Sequence, residues 1–169
     1  MNEAKAMVPV ALPTSIQHLS FRVRQARYAL PIDLVREIIE YGQVTTVPMM
    51  PPFIHGVINL RGNVVPVLDL AARFGFELSV PNKRTCIVII ELNLDDQQQR
   101  IGLVVDAVDA VLDIESDKVE QAPPFGAGIR TDFIAGMARD ERGFTIILDV
   151  RRVLSLDDIR QLSLAQQAG

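Results

Sequence analysis

The side chains of this 169-residue sequence best suited to nucleophilic or metal chemistry are one cysteine, Cys86, and two histidines, His18 and His55. A catalytic thiolate needs an electropositive, partly open setting. Cys86 sits instead in "RTCIVII", where a small buried hydrophobe is the better fit. His55 follows "PPFI" in what reads as an exposed loop, and no serine or cysteine motif points to it. One cysteine excludes an intramolecular disulfide, and the two histidines lie too far apart in sequence for a zinc spacing. Asp95 and Asp96 precede "QQQR" between two apolar runs, which describes a polar hairpin connection; a metal would need more converging carboxylates. The glycines of "FGAG" lack the strand-to-helix context of a phosphate loop. No catalytic residue, metal ligand or cofactor is expected. The rival reading, an enzyme, would require His55 and Cys86 to meet in a polar cleft.

Composition favours a binding module. With 49% hydrophobic and 22% charged residues the chain can bury a real core. Its 17 basic and 21 acidic residues are interleaved and give a net charge of −4, so no basic field exists to hold a phosphate backbone. With no Trp, 2 Tyr and 7 Phe, a base-stacking platform is weak too, and nucleic acid is not an expected partner. The apolar runs are far shorter than the roughly 20 residues of a spanning helix. Residues 1–16 carry one early lysine, Pro9 and Pro13, which fits a flexible tail better than a secretory signal. A cytoplasmic protein without membrane insertion is expected.

The chain repeats itself. "ARYALPIDLVREIIE" matches "QRIGLVVDAVDAVLDI" at an offset of 73, placing Arg27 on Arg100, Leu30 on Leu103, Asp33 on Asp106 and Ile38 on Val111. "PPF" at 51–53 recurs at 123–125, and "IHGVINLRGNVVPVLDL" recurs as "IAGMARDERGFTIILDV" at an offset of 80. On this alignment "GAGIRTDF", 126–133, is the extra segment of the second copy. Two copies make a pseudo-duplication rather than a solenoid. "HLSFRVRQ", "NVVPVLDL", "TCIVIIEL", "QRIGLVVD" and "GFTIILDV" are rich in β-branched residues and read as strands, implying a barrel or sandwich. "IDLVREIIE" is ambiguous, because Ile32, Val35, Ile38 and Ile39 have helical spacing. Asp69 before "LAARFG" and Asp149 before "VRRVLS" are placed to cap short helices, with Gly75 closing the first. Ser155 and Asp158 have capping-box spacing, which predicts a C-terminal helix in "SLDDIRQLSLAQQA".

Residues present in both copies serve what the copies share, the fold. Gly56, Gly136, Asp69, Asp149, Asp33 and Asp106 are therefore assigned structural roles. Arg61 of "NLRGN" is different: the second copy has Glu141 there. A tight connection in which Gly62 takes a positive φ would leave Arg61 on the rim of a turn.

These segments together, "VREIIE", "VPMMPPFIHG", "VINLRGNVVPVLDL", "RTCIVIIEL", "IGLVVDAVDAVLDI", "PPFGAGIRTDFIAGMA" and "FTIILDV", closely resemble the CheW family of bacterial chemotaxis coupling proteins, from about His18 to about Leu154. The resemblance implies an all-β fold of two pseudo-duplicated SH3-like five-stranded β-barrels packed side by side, with short helices and a C-terminal helix. It implies a CheW-like domain over 17–156 formed of two interleaved barrel subdomains, a helix or tail over 157–169, and "VREII" as strand. The implied function is non-catalytic scaffolding between the cytoplasmic tip of a chemoreceptor and the regulatory domain of a CheA-type histidine kinase. The protein would be a monomer alone and a member of receptor–kinase arrays beneath the membrane. By the same resemblance Val35, Glu37, Arg61 and Val108 face the receptor, and Thr85 and Cys86 lie near a partner surface. The family also includes adaptors of pilus-motility and surface-sensing pathways, and the sequence does not choose among them.

Overall fold

The β-branched runs pair into two sheets in the computed structural model, which describes residues 14–94, 96–121 and 131–154. The strands are β1 (Ser15–Val23), β2 (Ala26–Pro31), β3 (Val35–Glu40), β4 (Ile54–Leu60), β5 (Asn63–Asp69), β6 (Cys86–Leu94), β7 (Gln97–Val105), β8 (Ala107–Glu115), β9 (Val119–Glu120), β10 (Ile134–Asp140) and β11 (Gly143–Leu148). A five-stranded sheet has the order β3-β6-β7-β5-β4, and a six-stranded one the order β9-β10-β11-β2-β1-β8. The sixth strand is the two-residue β9, one more than the five expected of each barrel. The architecture is all-β with two SH3-like subdomains.

The duplication is visible in the register. Val67 lies opposite Gly102 in one parallel pair and Ile147 opposite Ala29 in the other, the same step of each repeat. A bulge between Ile54 and Gly56 recurs between Ile134 and Gly136. Arg36 on β3 and Asp109 on β8 are the skipped residues of a second matched pair of bulges. The repeats are also interlocked. After β2 the chain leaves the six-stranded sheet for the five-stranded one, and it returns only at β8. Neither sheet is therefore made by one repeat alone.

The "VREIIE" ambiguity resolves as strand β3, which pairs with β6 and alternates half-buried with exposed residues. Helical spacing misleads here because an edge strand exposes one face and half-buries the other. Phe53 and Phe133 are equivalent, since each carbonyl accepts the backbone N–H of a helix-capping aspartate, Asp69 at 2.7 Å and Asp149 at 2.8 Å. This corrects the alignment of the two "PPF" motifs: the excess of the second copy lies ahead of Thr131. Another correction concerns the tail, because β1 begins at Ser15, opposite Glu115, inside the stretch read as 1–16. The helix expected from Ser155 and Asp95 of the hairpin lie outside the described residues, and Asp96 turns that hairpin at φ 62°.

One large apolar core lies between the sheets, with Phe21, Tyr28 and Leu30 from one meeting Leu68, Val88, Ile90 and Leu103 from the other. Burial pushes the Tyr28 hydroxyl pKa up to about 12. Two short helices, α1 (Leu70–Arg73) and α2 (Val150–Val153), close the ends of β5 and β11. Asp69 is fully buried and caps α1 through Ala71 N–H at 3.0 Å. Gly75, at φ 95°, ends it with paired 6→1 and 5→2 bonds from Phe76 and Gly75. The Arg73 guanidinium is stacked on both Phe53 and Phe133, at 4.8 and 4.9 Å. No helix among the described residues is long and apolar enough to cross a membrane.

Candidate partner-binding surface

The edge strands β3 and β4 of the five-stranded sheet approach each other, and three contacts close the seam. Thr45 and Val57 exchange two backbone hydrogen bonds of 2.8 Å. The Tyr41 hydroxyl and His55 Nε2 are 2.6 Å apart, with the rings edge to face. Burial, followed by the charge of Asp69, raises the Tyr41 pKa, so the phenol stays protonated. At the outer end Arg61 and Glu37 form a two-armed ion pair. Gly56 makes the closure sterically feasible, since a Cβ there would sit 2.1 Å from the Thr45 carbonyl oxygen. Gly136 repeats the device under β9, where a Cβ would meet Val119 Cγ1 at 2.4 Å.

Arg61 occupies a costly conformation. The Leu60–Asn63 pair leaves a two-residue hairpin, and both of its residues have positive φ, 52° at Arg61 and 88° at Gly62. That is the turn matching strand twist, normally built from Asn-Gly or Gly-Gly. Gly62 donates its N–H to Asn59 Oδ1 at 2.9 Å. In the equivalent hairpin, Glu141-Arg142, the positive φ falls on Gly143 instead, at 118°. Of these two repeat-related hairpins only the first holds a long side chain in the left-handed region; Arg24, at φ 58°, does the same in the β1–β2 hairpin. The Arg61 side chain is 64% exposed, so burial does not explain its presence. The hydrogen bond from Arg61 holds the Glu37 carboxyl below its usual range against a smaller effect of burial, with the charges of Arg61, Arg100 and Arg36 adding to it.

The other sequence-selected residues fall into two places. Val35 lies on β3 with Glu37, and Val108 is its repeat counterpart on β8; both are half-buried and pack on the central core. Cys86 opens β6 opposite Glu40, three residues from Glu37 along β3, or about 10 Å at strand spacing. Its thiol is pushed up by burial and then by the Glu40 charge, with a hydrogen bond to the Val108 backbone opposing. It also donates to the Arg84 carbonyl at 3.3 Å. These features describe a resting thiol rather than a nucleophile. Thr85 is 3% exposed and its hydroxyl accepts the Asn82 N–H at 2.8 Å, so it shapes this edge and offers no side chain to a partner.

Sequence reasoning passed over two exposed apolar features. Ile38 and Val111, matched in the repeat, are large aliphatic residues exposed at 42% and 52% on the edge strands β3 and β8. Helical spacing hides this, because on a strand Ile38 falls on the face opposite Val35 and Ile39. Beyond α1, Phe76, Leu78 and Val80 are exposed at alternate positions. That segment is pinned by Ser79, which donates its N–H and hydroxyl to the buried Asp69 at 2.9 and 2.8 Å.

Comparison with known proteins is consistent across sequence and structure. The family model described as CheW-like domain matches residues 17–158. The chain is 30% identical over 143 residues to Chemotaxis protein CheW of Klebsiella aerogenes, covering 85% of this chain and 84% of that protein. It is also 30% identical over 129 residues to Protein PilI of Pseudomonas aeruginosa, covering 76% of this chain and 70% of that protein. The crystal structure of scaffolding protein TtCheW from Thermoanaerobacter tengcongensis superposes with a TM-score of 0.75 at 32% identity, over 90% of this chain and 96% of that one.

Proposed function

The chain belongs to the CheW-like domain family, and on that premise we propose that it is a non-catalytic coupling scaffold of chemotaxis signalling. It joins the cytoplasmic tip of a chemoreceptor to the regulatory domain of a CheA-type histidine kinase. The observation that carries this reading is Arg61, an exposed arginine held at φ 52° on a hairpin tip and gripped by Glu37. Strain of this kind persists where a side chain is needed in one place. A receptor tip is a helical hairpin, and an apolar ridge of such a helix fits beside Val35 and Val108 with Arg61 and Glu37 as polar ends. Cys86 lies at the border of that surface, while Thr85 supports it from within.

Coupling must respond to a signal, so each contact is modest, burying on the order of 1,200 Å² with near-micromolar affinity. Avidity in a membrane-associated array, with this protein on the cytoplasmic side, supplies the rest. The signal passes as a difference in affinity for two kinase states. The alternative is the same adaptor role in a pilus-motility or surface-sensing pathway, and choice of partner separates the two.

The test is calorimetric titration against a kinase regulatory domain and, separately, a receptor-tip hairpin, each repeated with Arg61→Ala. Binding to both, with the variant losing mainly the receptor, is the expected result. A folded protein that binds neither, in either signalling system, refutes the coupling role.

A further inference from the structure

Because one repeat builds both sheets, their interiors are comparable position by position. The five-stranded sheet encloses Ile58, Val65, Val67, Ile87, Ile89 and Val104, with Ile39, Tyr41 and Leu60 packed against them. Where it has Glu37, Ile58, Leu60 and Val65, the repeat puts Ala110, Ala138, Asp140 and Thr145 in the six-stranded sheet. Three large apolar groups and one glutamate are exchanged for small or polar ones. The buried cluster there is only Ala29, Ile114 and Ile147, with Leu112 and Ala138 beside it. The space left is a cavity of about 580 Å³ between β8 and the β10–β11 hairpin, walled by Arg27, Ala110, Leu112, Ile114, Ala138 and Thr145.

Arg27 is 8% exposed and poorly satisfied. Its Nη1 is 3.3 Å from Asp140 and 3.4 Å from the Thr145 hydroxyl; Nε is 3.8 Å from Asp109 and has no hydrogen-bond partner among the described residues. Well-made charged hydrogen bonds run at about 2.7–2.9 Å, and a buried N–H left unpaired needs a reason. The matched Arg100 is 38% exposed and reaches Glu91 at 3.1 Å, so the repeat does not require such an arrangement. Around the mouth, Lys118 and Arg139 meet their carboxylates only at 3.8 and 3.7 Å. Four carboxylates, Asp113, Glu115, Asp140 and Glu141, also border the space. An anion entering this space meets the guanidinium at its deep end, in competition with Asp140, which is 47% exposed, and with Asp109 at 3.8 Å.

We propose that this cavity binds a small organic carboxylate with an aliphatic body. The carboxylate pairs with Arg27 and the Thr145 hydroxyl, and the aliphatic part lies against Ala110, Leu112, Ile114 and Ala138.

The test is titration of the full chain with hexanoate, followed through the methyl resonances of Ala110, Leu112, Ile114 and Ala138, with hexanol and hexylammonium as comparators. Saturable shifts for hexanoate alone, with a Kd of about 1 mM, are expected. Arg27→Gln should weaken binding at least tenfold. Should that variant not fold, Ala138→Ile decides, since it restores the isoleucine of the other sheet and should fill the cavity, abolishing binding. An unresponsive wild type, equal shifts with hexanol or hexylammonium, or undiminished binding by Ala138→Ile each overturns the proposal.

Discussion

The Arg61 guanidinium clasps the Glu37 carboxylate across the seam where the edge strands β3 and β4 meet, so two residues assigned to one partner surface also close the outer end of a barrel. On the proposed receptor-facing role of these residues, partner binding and seam geometry are linked. A partner that pulls Arg61 away from Glu37 loosens that end, while the Thr45–Val57 bridge holds the other.

Glu37 has a folded-state pKa below its unfolded value. Its contribution to stability is therefore complete above the unfolded pKa, about 4.3, and fades as pH falls through the lower folded value. The stability difference between wild type and Glu37→Gln, followed by urea unfolding from pH 6 to pH 3, should shrink toward the acid end. A difference constant with pH would mean that the ion pair does not govern Glu37.

Replacing Arg61 by Asn removes the bulky side chain from the left-handed position while keeping a residue that the turn favours. Thermal unfolding should show a Tm at or above that of wild type, by up to about 2–4 °C, while receptor-tip binding falls. A large drop in Tm would make Arg61 a structural residue.

Gly56→Ala adds a steric clash to backbone strain, whereas Gly62→Ala carries strain alone, since both glycines have positive φ, 155° and 88°. A Cβ at Gly56 would lie 2.1 Å from a backbone oxygen, whereas at Gly62 it meets nothing within 4 Å. The first should cost about 2–4 kcal/mol and the second about 1–2 kcal/mol. Equal losses in denaturant unfolding would remove the seam contact as the reason for Gly56.

The raised pKa of Cys86 predicts slow reaction of the native thiol with a disulfide reagent at pH 7, accelerating only above about pH 8.5. Urea-unfolded protein should react faster at neutral pH. Fast, pH-independent labelling of the native protein would revive the enzyme reading.

Arg73 bridges the two repeats, stacked on Phe53 and Phe133 and donating from Nε to the Val153 carbonyl at 2.7 Å. Arg73→Met keeps the apolar stem and should still lose about 1–3 kcal/mol. A neutral result by denaturant unfolding would assign the contact to packing alone.

Periodicity and composition determined five of the eleven described strands, the capping aspartates and the hairpin turns at Gly62 and Asp96, because these depend on residues a few positions apart. The repeat determined that two equivalent units exist, and the combined motifs determined the family. Tertiary structure alone decided how the units combine, since the passage of β3 and β8 into the opposite sheets depends on contacts between distant segments and leaves no local pattern. It also decided the equivalence of Phe53 with Phe133, because a hydrogen bond to a capping aspartate outweighs the likeness of two "PPF" triplets. Arg61 and Glu37 were singled out one by one from the sequence, but their ion pair exists only because a closed sheet brings its first and last strands together. The emptied interior around Arg27 was equally hidden: Ala110, Ala138 and Thr145 are unremarkable in a strand until the fold aligns them with the larger residues of the other barrel.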